Sequence, residues 1–228
     1  DKLVDKYCLF SGDFNNCHLK QTKDSSKKRI IHGGLICDTS LTNNLFLKRK
    51  QINRLKITFN NLLYIPSILR TKLIKKEQLK YKFSVNSKGN EIINYETFFY
   101  EQNYPFNLDT NNFSIMNEVK RSNEWELNFK KDKIYRTRNY LEKDNFYSDS
   151  KINSIYSSSL GLLSKIVGMY VPGKYSTSLL YDIYYKKSKE PYLYLKIVNY
   201  IPSISLLRII LQTPNFQAII NAKNKSPY

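Results

Sequence analysis

The amino-acid sequence predicts an α+β fold: a small β-rich basic core with an irregular N-terminal arm and a largely helical C-terminal extension. Apolar and polar residues alternate over 55–59 and over 79–85, which is typical of half-buried strands. Apolar residues recur at helical spacing over 160–167, which predicts a helix there. These patterns divide the chain of 228 residues into an arm (1–30), a basic core (31–98), an aromatic connecting region of mixed charge (99–150) and a helical extension (151–228).

The arm and the core differ in periodicity. Residues 21–29 form a polar tract without an apolar repeat, so neither a helix nor a strand is expected there. A strand-like pattern starts at Ile30, and the run Asn-Ser-Lys-Gly-Asn at 86–90 predicts a turn. Residues 67–76 fit either a short helix or a bent strand.

Loops followed by helices are expected in the second half of the chain. Residues 91–150 are rich in Asn and aromatic side chains, which favours loops with one or two short strands. Ser157 fits a helix start, and Pro172-Gly173 would end that helix. Further helices are expected over 176–187, 192–200, 204–211 and 213–221. The sequence shows no internal repeat.

Positive charge dominates the composition. Lys and Arg together number 37 against 19 Asp and Glu, giving a net charge of +18. Twelve basic residues and a single acidic one, Glu77, lie between Lys48 and Lys88. Such an excess is typical of a protein that binds a polyanion, usually nucleic acid and otherwise an anionic membrane surface.

The predicted RNA-binding residues are the basic side chains of one thirty-residue stretch. They are Lys48, Arg49, Lys50, Arg54, Lys56, Arg70, Lys72, Lys75 and Lys76. Lys and Arg neutralise phosphates and release counterions, and the interleaved Phe46, Phe59 and Tyr64 could stack on unpaired bases. The alternative is a solvated basic face, or Lys accumulated through an AT-rich coding sequence.

Potential metal ligands are present but poorly spaced. Cys8, Cys17, His18, His32 and Cys37 supply suitable atoms, yet structural zinc sites bring paired ligands two to four residues apart. Only Cys17 and His18 are close, and adjacent residues rarely bind one ion together. We expect reduced, free cysteines, no bound metal and no cofactor.

Catalytic motifs are also missing from the sequence. It contains neither a Gly-rich phosphate loop nor a nucleophile elbow. Glu124 and Glu126 flank Trp125 and would share one face of a strand, which is more often solvated than catalytic. His32-Gly33-Gly34 fits a turn. The sequence therefore predicts a protein that is not an enzyme.

A membrane-spanning helix is not expected. The longest apolar candidate, 192–211, is interrupted by Lys196, Asn199, Pro202 and Arg208.

Several short segments, taken in order, resemble one protein family. They are Cys8–Gly12, Gly33-Gly34, Asn43–Phe46, Arg49–Arg54, Phe59–Leu62 and Ser67–Leu69. Together they are similar to the bacterial-type large-subunit ribosomal protein numbered twenty-eight and its mitochondrial relatives, over residues 7–12 and 33–90. Residues 91–228 would then be an extension specific to a lineage.

This resemblance implies a structural constituent of the large subunit of an organellar ribosome. Its partners would be ribosomal RNA and neighbouring ribosomal proteins, without a small-molecule substrate. The expected location is the mitochondrial matrix, or a plastid-type organelle, and a first residue Asp1 fits removal of a targeting peptide. Two alternatives stay open: a non-ribosomal RNA- or DNA-binding protein, and an accessory subunit of an inner-membrane respiratory complex.

Overall fold

The structure, a computed structural model, describes residues 2–14, 18–19, 29–47, 50–115, 129–137, 154–173, 176–187 and 191–224. The first half contains α1 (Lys2–Ser11), α2 (Gly33–Thr42), a 3₁₀ turn (Leu45–Leu47), β1 (Arg54–Phe59), β2 (Arg70–Lys76), β3 (Lys80–Ser87) and β4 (Asn90–Phe98). Two short strands follow: β5 (Ser114–Ile115) and β6 (Ile134–Thr137). The second half contains α3 (Ser154–Lys165), which continues as a π-helical turn (Ile166–Tyr170), then β7 (Ser176–Tyr184), β8 (Leu193–Ile201), a 3₁₀ turn (Pro202–Ile204), β9 (Leu206–Gln212) and β10 (Gln217–Asn224).

The ten strands form one sheet in the order β2-β3-β4-β1-β7-β10-β9-β8-β6-β5. Strands β2-β3-β4-β1 of the first half and β8-β9-β10-β7 of the second half have the same order, and β1 pairs with β7 in the middle. In that antiparallel pair Ile57 lies opposite Tyr181. The described chain is therefore a structural repeat of one helix and four strands, although its sequence shows no repeat.

Helices α2 and α3 pack against the same face of the sheet. Ile36 of α2 and Leu163 of α3 belong to one buried cluster with Ile183 of β7. Successive residues of a strand point to opposite faces, and the next residue, Tyr184, accordingly packs in a second cluster with Leu108 of the connecting region. The connecting region thus covers part of the opposite face of the sheet.

Gly34 allows α2 to approach α3 closely. A Cβ atom there would lie 2.6 Å from Ser164 Oγ and 3.1 Å from the carbonyl oxygen of Leu160. Ser157 of α3 also donates a 2.7 Å hydrogen bond to the Asp38 carboxylate of α2. These contacts hold α2 of the first half against α3 of the second half.

The predicted helical C-terminal extension is wrong. Strands β7, β8, β9 and β10 lie where helices were expected. In β9 only Arg208 is exposed, so both faces of this strand are largely buried. A strand buried on both faces loses its polar alternation, and its apolar run can then be mistaken for helical periodicity.

The predicted irregular arm and small core are also corrected. Residues 2–11 form α1, whose Val4, Tyr7 and Cys8 are buried at helical spacing. The strand-like pattern from Ile30 leads into α2, which is buried over most of its surface and therefore shows little amphipathic periodicity. The core is not a small basic unit. It consists of buried side chains from strands of both halves of the ten-stranded sheet and from the helices packed on it.

Other local predictions are confirmed. Strands β1 and β3 lie on the two alternating segments, and the turn predicted at 86–90 lies at Lys88-Gly89, with φ of 50° and 82°. Part of the ambiguous segment 67–76 is the bent strand β2, whose pairing with β3 shifts register between Leu73 and Lys75. The boundaries of the four predicted segments stay predictions, and the one at residue 98 lies at the end of β4.

None of the helices in the described ranges is long and apolar enough to cross a membrane.

Candidate active site

Three buried side chains, Asp13, His18 and His32, meet beside the first turn of α2. Asp13 follows α1 after a turn at Gly12, whose φ is +71°. The N–H of Asp13 donates a 3.1 Å hydrogen bond to Ser11 Oγ, which fixes the start of this loop. His32 is the residue immediately before α2. We call these three residues the Asp-His cluster.

The side chains of the Asp-His cluster converge on one carboxylate oxygen. Asp13 Oδ2 lies 3.8 Å from His32 Nε2 and 3.9 Å from His18 Nε2. The two imidazole rings are stacked, with their centroids 3.5 Å apart and their planes 24° apart. Cys8 Sγ lies 3.7 Å from His32 Nε2. Nitrogen, oxygen and sulfur atoms with lone pairs therefore lie close together in one buried space.

Hydrogen bonding fixes the proton of His18 on the ring nitrogen that faces away from Asp13. His18 Nδ1 lies 2.9 Å from the carbonyl oxygen of Ile30, which can only accept, so Nδ1 carries the hydrogen. Nε2 is then an acceptor when the ring is neutral. Asp13 Oδ2 and His18 Nε2 are two acceptors 3.9 Å apart, and a water or a substrate hydroxyl bound between them could donate to either one.

Burial keeps both imidazoles neutral. It lowers the pKa of His18 from 6.5 to about 4, although the bond to Ile30 raises it in part. Burial also lowers the pKa of His32 well below 6.5, and the neighbouring His18 lowers it further. At neutral pH both rings therefore offer a lone pair and no positive charge.

Arg29 holds the His18 segment against α1. Its guanidinium donates hydrogen bonds to the carbonyl oxygen of His18 and to the Asp5 carboxylate, and 9% of its side chain is exposed. Asp5 partly neutralises this charge, while the remaining positive potential lowers the pKa values of His18 and His32. Arg29 is thus a positioning residue for the Asp-His cluster.

The second half of the chain supplies the wall behind Asp13. A Cβ atom on Gly168 would lie 2.3 Å from Asp13 Oδ1 and 2.7 Å from its Cγ. Gly168 belongs to the π-helical turn at the end of α3, where the N–H of Val171 bonds to the carbonyl oxygen of Ile166 at 2.8 Å. Such turns are frequent at functional sites. Only glycine leaves room for the carboxylate here.

A second buried carboxylate, Asp38, lies outside the Asp-His cluster. Ser157 donates to its Oδ1, while Oδ2 has no hydrogen-bond partner among the described residues. Burial raises the pKa of Asp38 from 3.8 to about 6, and the Ser157 bond opposes this rise. Asp38 therefore destabilises the folded chain when it is ionised.

Replacing Asp38 by Asn is expected to change how stability depends on pH. A folded pKa above the unfolded one stabilises the protein below about pH 4, and this contribution is lost as pH rises through about 6. The full effect is about 3 kcal/mol, and relative to wild type the variant should gain about 2 kcal/mol of it between about pH 4.5 and 7.5. Urea unfolding of both proteins from about pH 4.5 to 7.5 measures the difference, in which the common histidine contributions cancel. A difference that does not vary with pH would contradict the raised pKa.

The predicted phosphate-binding residues fall into separate groups. Lys48 and Arg49 lie outside the described residues. Lys50 Nζ lies 4.9 Å and 4.7 Å from the ring centroids of Tyr81 and Phe99. Arg70, Lys72, Lys75 and Lys76 are exposed on β2, an edge strand of the sheet. Phosphate binding by these residues stays a prediction.

Arg54 and Lys56 of β1 have acidic neighbours on the adjacent strands. Arg54 donates two 2.8 Å hydrogen bonds to the Asp182 carboxylate, and its guanidinium lies between the rings of Phe98 and Tyr184. Lys56 lies opposite Glu96 on one side and Asp182 on the other. Arg54 therefore joins β1 to β7 across the middle of the sheet.

Replacing Arg54 by Ala is expected to lower the free energy of unfolding by about 2 to 3 kcal/mol. The change leaves the Asp182 carboxylate, whose side chain is 9% exposed, without its bidentate partner. Lys72→Ala on the exposed edge strand is the matched control and should cost less than about 0.5 kcal/mol. Denaturant unfolding measures both variants, and equal losses would contradict a structural role for Arg54.

Sequence reasoning weighed His18, His32 and Cys8 as metal ligands but missed Asp13. The available signal was an acidic residue five positions before a histidine, directly after Ser11-Gly12. It was not decisive, because a long polar tract separates Asp13 and His18 from His32 along the chain. Cys8 and Cys37 are free and buried, as expected for reduced cysteines.

The described fold, a helix packed on an antiparallel sheet and present twice, is the hot-dog fold. It is similar to a MaoC-like dehydratase (TM-score 0.58, 8% identity, 98% of this chain and 94% of that one). It is also similar to the full-length peroxisomal multifunctional enzyme type 2 from Drosophila melanogaster (TM-score 0.54, 10% identity, 97% and 46%). A third likeness is to the tesB protein of Mycobacterium avium subspecies paratuberculosis (TM-score 0.50, 10% identity, 87% and 88%). At these identities the likeness shows the fold alone.

No family model and no curated protein matches the sequence.

These findings overturn the ribosomal interpretation. The fold is not that of the ribosomal family numbered twenty-eight but that of dehydratases and thioesterases. The expected ribosomal RNA and protein partners, and the two alternatives, find no support. The expectations of no enzymatic activity and no small-molecule substrate rested on that interpretation and are withdrawn with it, because the structures that share this fold include a dehydratase and a thioesterase. Location in an organelle stays a prediction.

The resemblance failed because its motifs serve packing in this fold. Cys8–Gly12 is the last turn of α1 and the turn that leads to Asp13. Gly33 lies against Phe59, where a Cβ would come within 2.4 Å of the ring. Short Gly-containing segments of this kind recur wherever backbones approach closely, so their order alone did not identify the family.

Proposed function

We propose that the chain is a hydratase or dehydratase that adds water to, or removes it from, an acyl thioester. The observation that carries this proposal is the Asp-His cluster: a buried carboxylate and a neutral imidazole that face each other 3.9 Å apart. Further support comes from the MaoC-like dehydratase, whose fold matches 98% of this chain. The thioester component rests on the thioesterases that share the fold.

The proposed reaction uses one water molecule bound between these two acceptors. Its oxygen can lie about 2.8 Å from both Asp13 Oδ2 and His18 Nε2 and donate one hydrogen bond to each. In the hydration direction, Asp13 takes one proton as the water oxygen bonds to Cβ of a 2-enoyl thioester. The protonated carboxyl then delivers that proton to Cα. Dehydration is the reverse, so no proton is gained or lost overall.

The first turn of α2 can stabilise the charge that develops during this reaction. Negative charge accumulates on the thioester carbonyl oxygen before Cα is protonated. Helix α2 begins directly after His32, and its first intrahelical bond runs from the Ile36 N–H to the His32 carbonyl oxygen. The positive end of the helix therefore lies beside the Asp-His cluster and favours this charge.

Assay of the purified chain with a 2-enoyl and a 3-hydroxyacyl coenzyme A thioester tests the proposal. Interconversion, followed by the absorbance of the conjugated enoyl group, is the expected result. Release of free thiol, followed with a thiol reagent, would instead indicate thioester hydrolysis. Neither reaction over a range of acyl chain lengths would contradict the proposal.

A further inference from the structure

We propose that Asp13, His18 and His32 bind one zinc ion. One ligand atom from each of these residues lies within 4.8 Å of the other two, and all three residues are buried. Two imidazoles with one carboxylate form a ligand set that zinc and similar transition metals prefer over Mg²⁺ or Ca²⁺. This inference rests on the Asp-His cluster and goes beyond the proposed reaction.

The distances are close to those of a zinc site. Tetrahedral bonds of about 2.0 to 2.1 Å place neighbouring ligand atoms roughly 3.4 Å apart. The two distances from Asp13 Oδ2, 3.8 Å and 3.9 Å, exceed this by about half an ångström. Side-chain movements of this size do not require the backbone to move. Three protein ligands also leave a fourth position open.

His18 already has the supporting contact of a metal ligand. Its Nδ1–H donates to the Ile30 carbonyl oxygen at 2.9 Å, which leaves Nε2 as the ligand atom and holds the ring in place. Ligating histidines usually have such a partner on the other ring nitrogen. The positive charge of Arg29 is partly neutralised by Asp5, which reduces its repulsion of a bound cation.

His32 is the ligand that must turn. With ring planes only 24° apart, both lone pairs cannot point at one ion. His32 Nδ1 has no hydrogen-bond partner among the described residues, and the contacts of Nε2 with the Asp13 carbonyl oxygen and Cys8 Sγ are long, at 3.3 Å and 3.7 Å. Rotation of this ring therefore breaks no short hydrogen bond. Zinc binding would also satisfy a buried polar side chain.

Zinc titration of the purified full chain, with a chromophoric chelator as competitor, tests the inference. The expected result is one Zn²⁺ per chain with micromolar or tighter affinity, and no binding of Mg²⁺ at similar concentration. His18→Gln and His32→Gln should each weaken zinc binding at least about tenfold. Both variants keep all three cysteines, so zinc held by thiols would persist in them.

The matched control is Cys37→Ser, which removes a buried thiol of α2 outside the Asp-His cluster and should leave affinity unchanged. Circular dichroism confirms that each variant is folded. Absence of stoichiometric zinc in wild type, or wild-type affinity in both His variants, would overturn the inference. Binding is measured without any acyl substrate, so its outcome is independent of the proposed activity. If both proposals hold, zinc should inhibit hydration reversibly, and a chelator should restore the rate.

Discussion

Replacing Asp13 by Asn is expected to lower the rate of thioester hydration by about a thousandfold. The amide fills the same volume but cannot take a proton from the water that we propose to bind between positions 13 and 18. His18→Gln should cause a loss of similar size, because Gln cannot hold that water through a ring lone pair. Initial rates with a 2-enoyl thioester, at substrate concentrations on both sides of KM, measure kcat and KM separately.

Asp38→Asn is the matched control for this prediction. It changes a second buried carboxylate of the same half of the chain, which hydrogen-bonds to Ser157 and not to the Asp-His cluster. Its hydration rate should stay within about twofold of wild type, since it touches no reacting atom. If Asp13→Asn keeps the wild-type rate while folded, the carboxylate of Asp13 has no role as the base.

Replacing Gly168 by Ala is expected to lower kcat by about a hundredfold, with a smaller change in KM. The new methyl group would lie 2.3 Å from Asp13 Oδ1, so the carboxylate must move away. Displacing a catalytic group by about 1 Å can cost this much, even when substrate binding is retained. Steady-state kinetics of the folded variant, checked by circular dichroism, measure the effect.

Gly161→Ala is the matched control, because it lies in α3 of the same half. A Cβ there would meet the Phe10 ring at 2.8 Å, and no atom of Asp13 is among its three nearest neighbours. Gly161→Ala should lower the free energy of unfolding but leave kcat nearly unchanged, since the partly buried Phe10 ring can shift without moving Asp13. An unchanged kcat in Gly168→Ala would contradict the position of the Asp13 carboxylate against the π-helical turn.

Local patterns in the sequence were sufficient for some elements. Strands β1 and β3 were predicted because one side of each is less buried, so polar and apolar residues alternate along them. The turn between β3 and β4 was predicted from its Gly and Asn, and Gly89 there has a positive φ. The break after α3 was predicted from Pro172-Gly173. In each case the signal lies within a few residues.

The second half of the sheet could not be predicted in this way. In β9, Leu207 and the residues from 209 to 212 are buried on both faces. Such a run of apolar residues has no period that separates a strand from a helix. Pairing with β8 and β10 on either side is what makes it a strand, because those neighbours satisfy its backbone groups and bury its side chains.

The sequence by itself determined that the chain is basic and that β1 and β3 are strands. It also determined which residue types are available for chemistry: two histidines, three cysteines and scattered carboxylates. Tertiary structure decided what they do. Arg54, predicted to bind phosphate, pairs with Asp182, which is 128 residues away along the chain. Asp13 and His32 are 19 residues apart, yet they meet against Gly168 of the other half. Both arrangements depend on how helices and strands pack together. The residues next to Arg54 or Asp13 in the sequence do not indicate which distant residue will contact them in the fold.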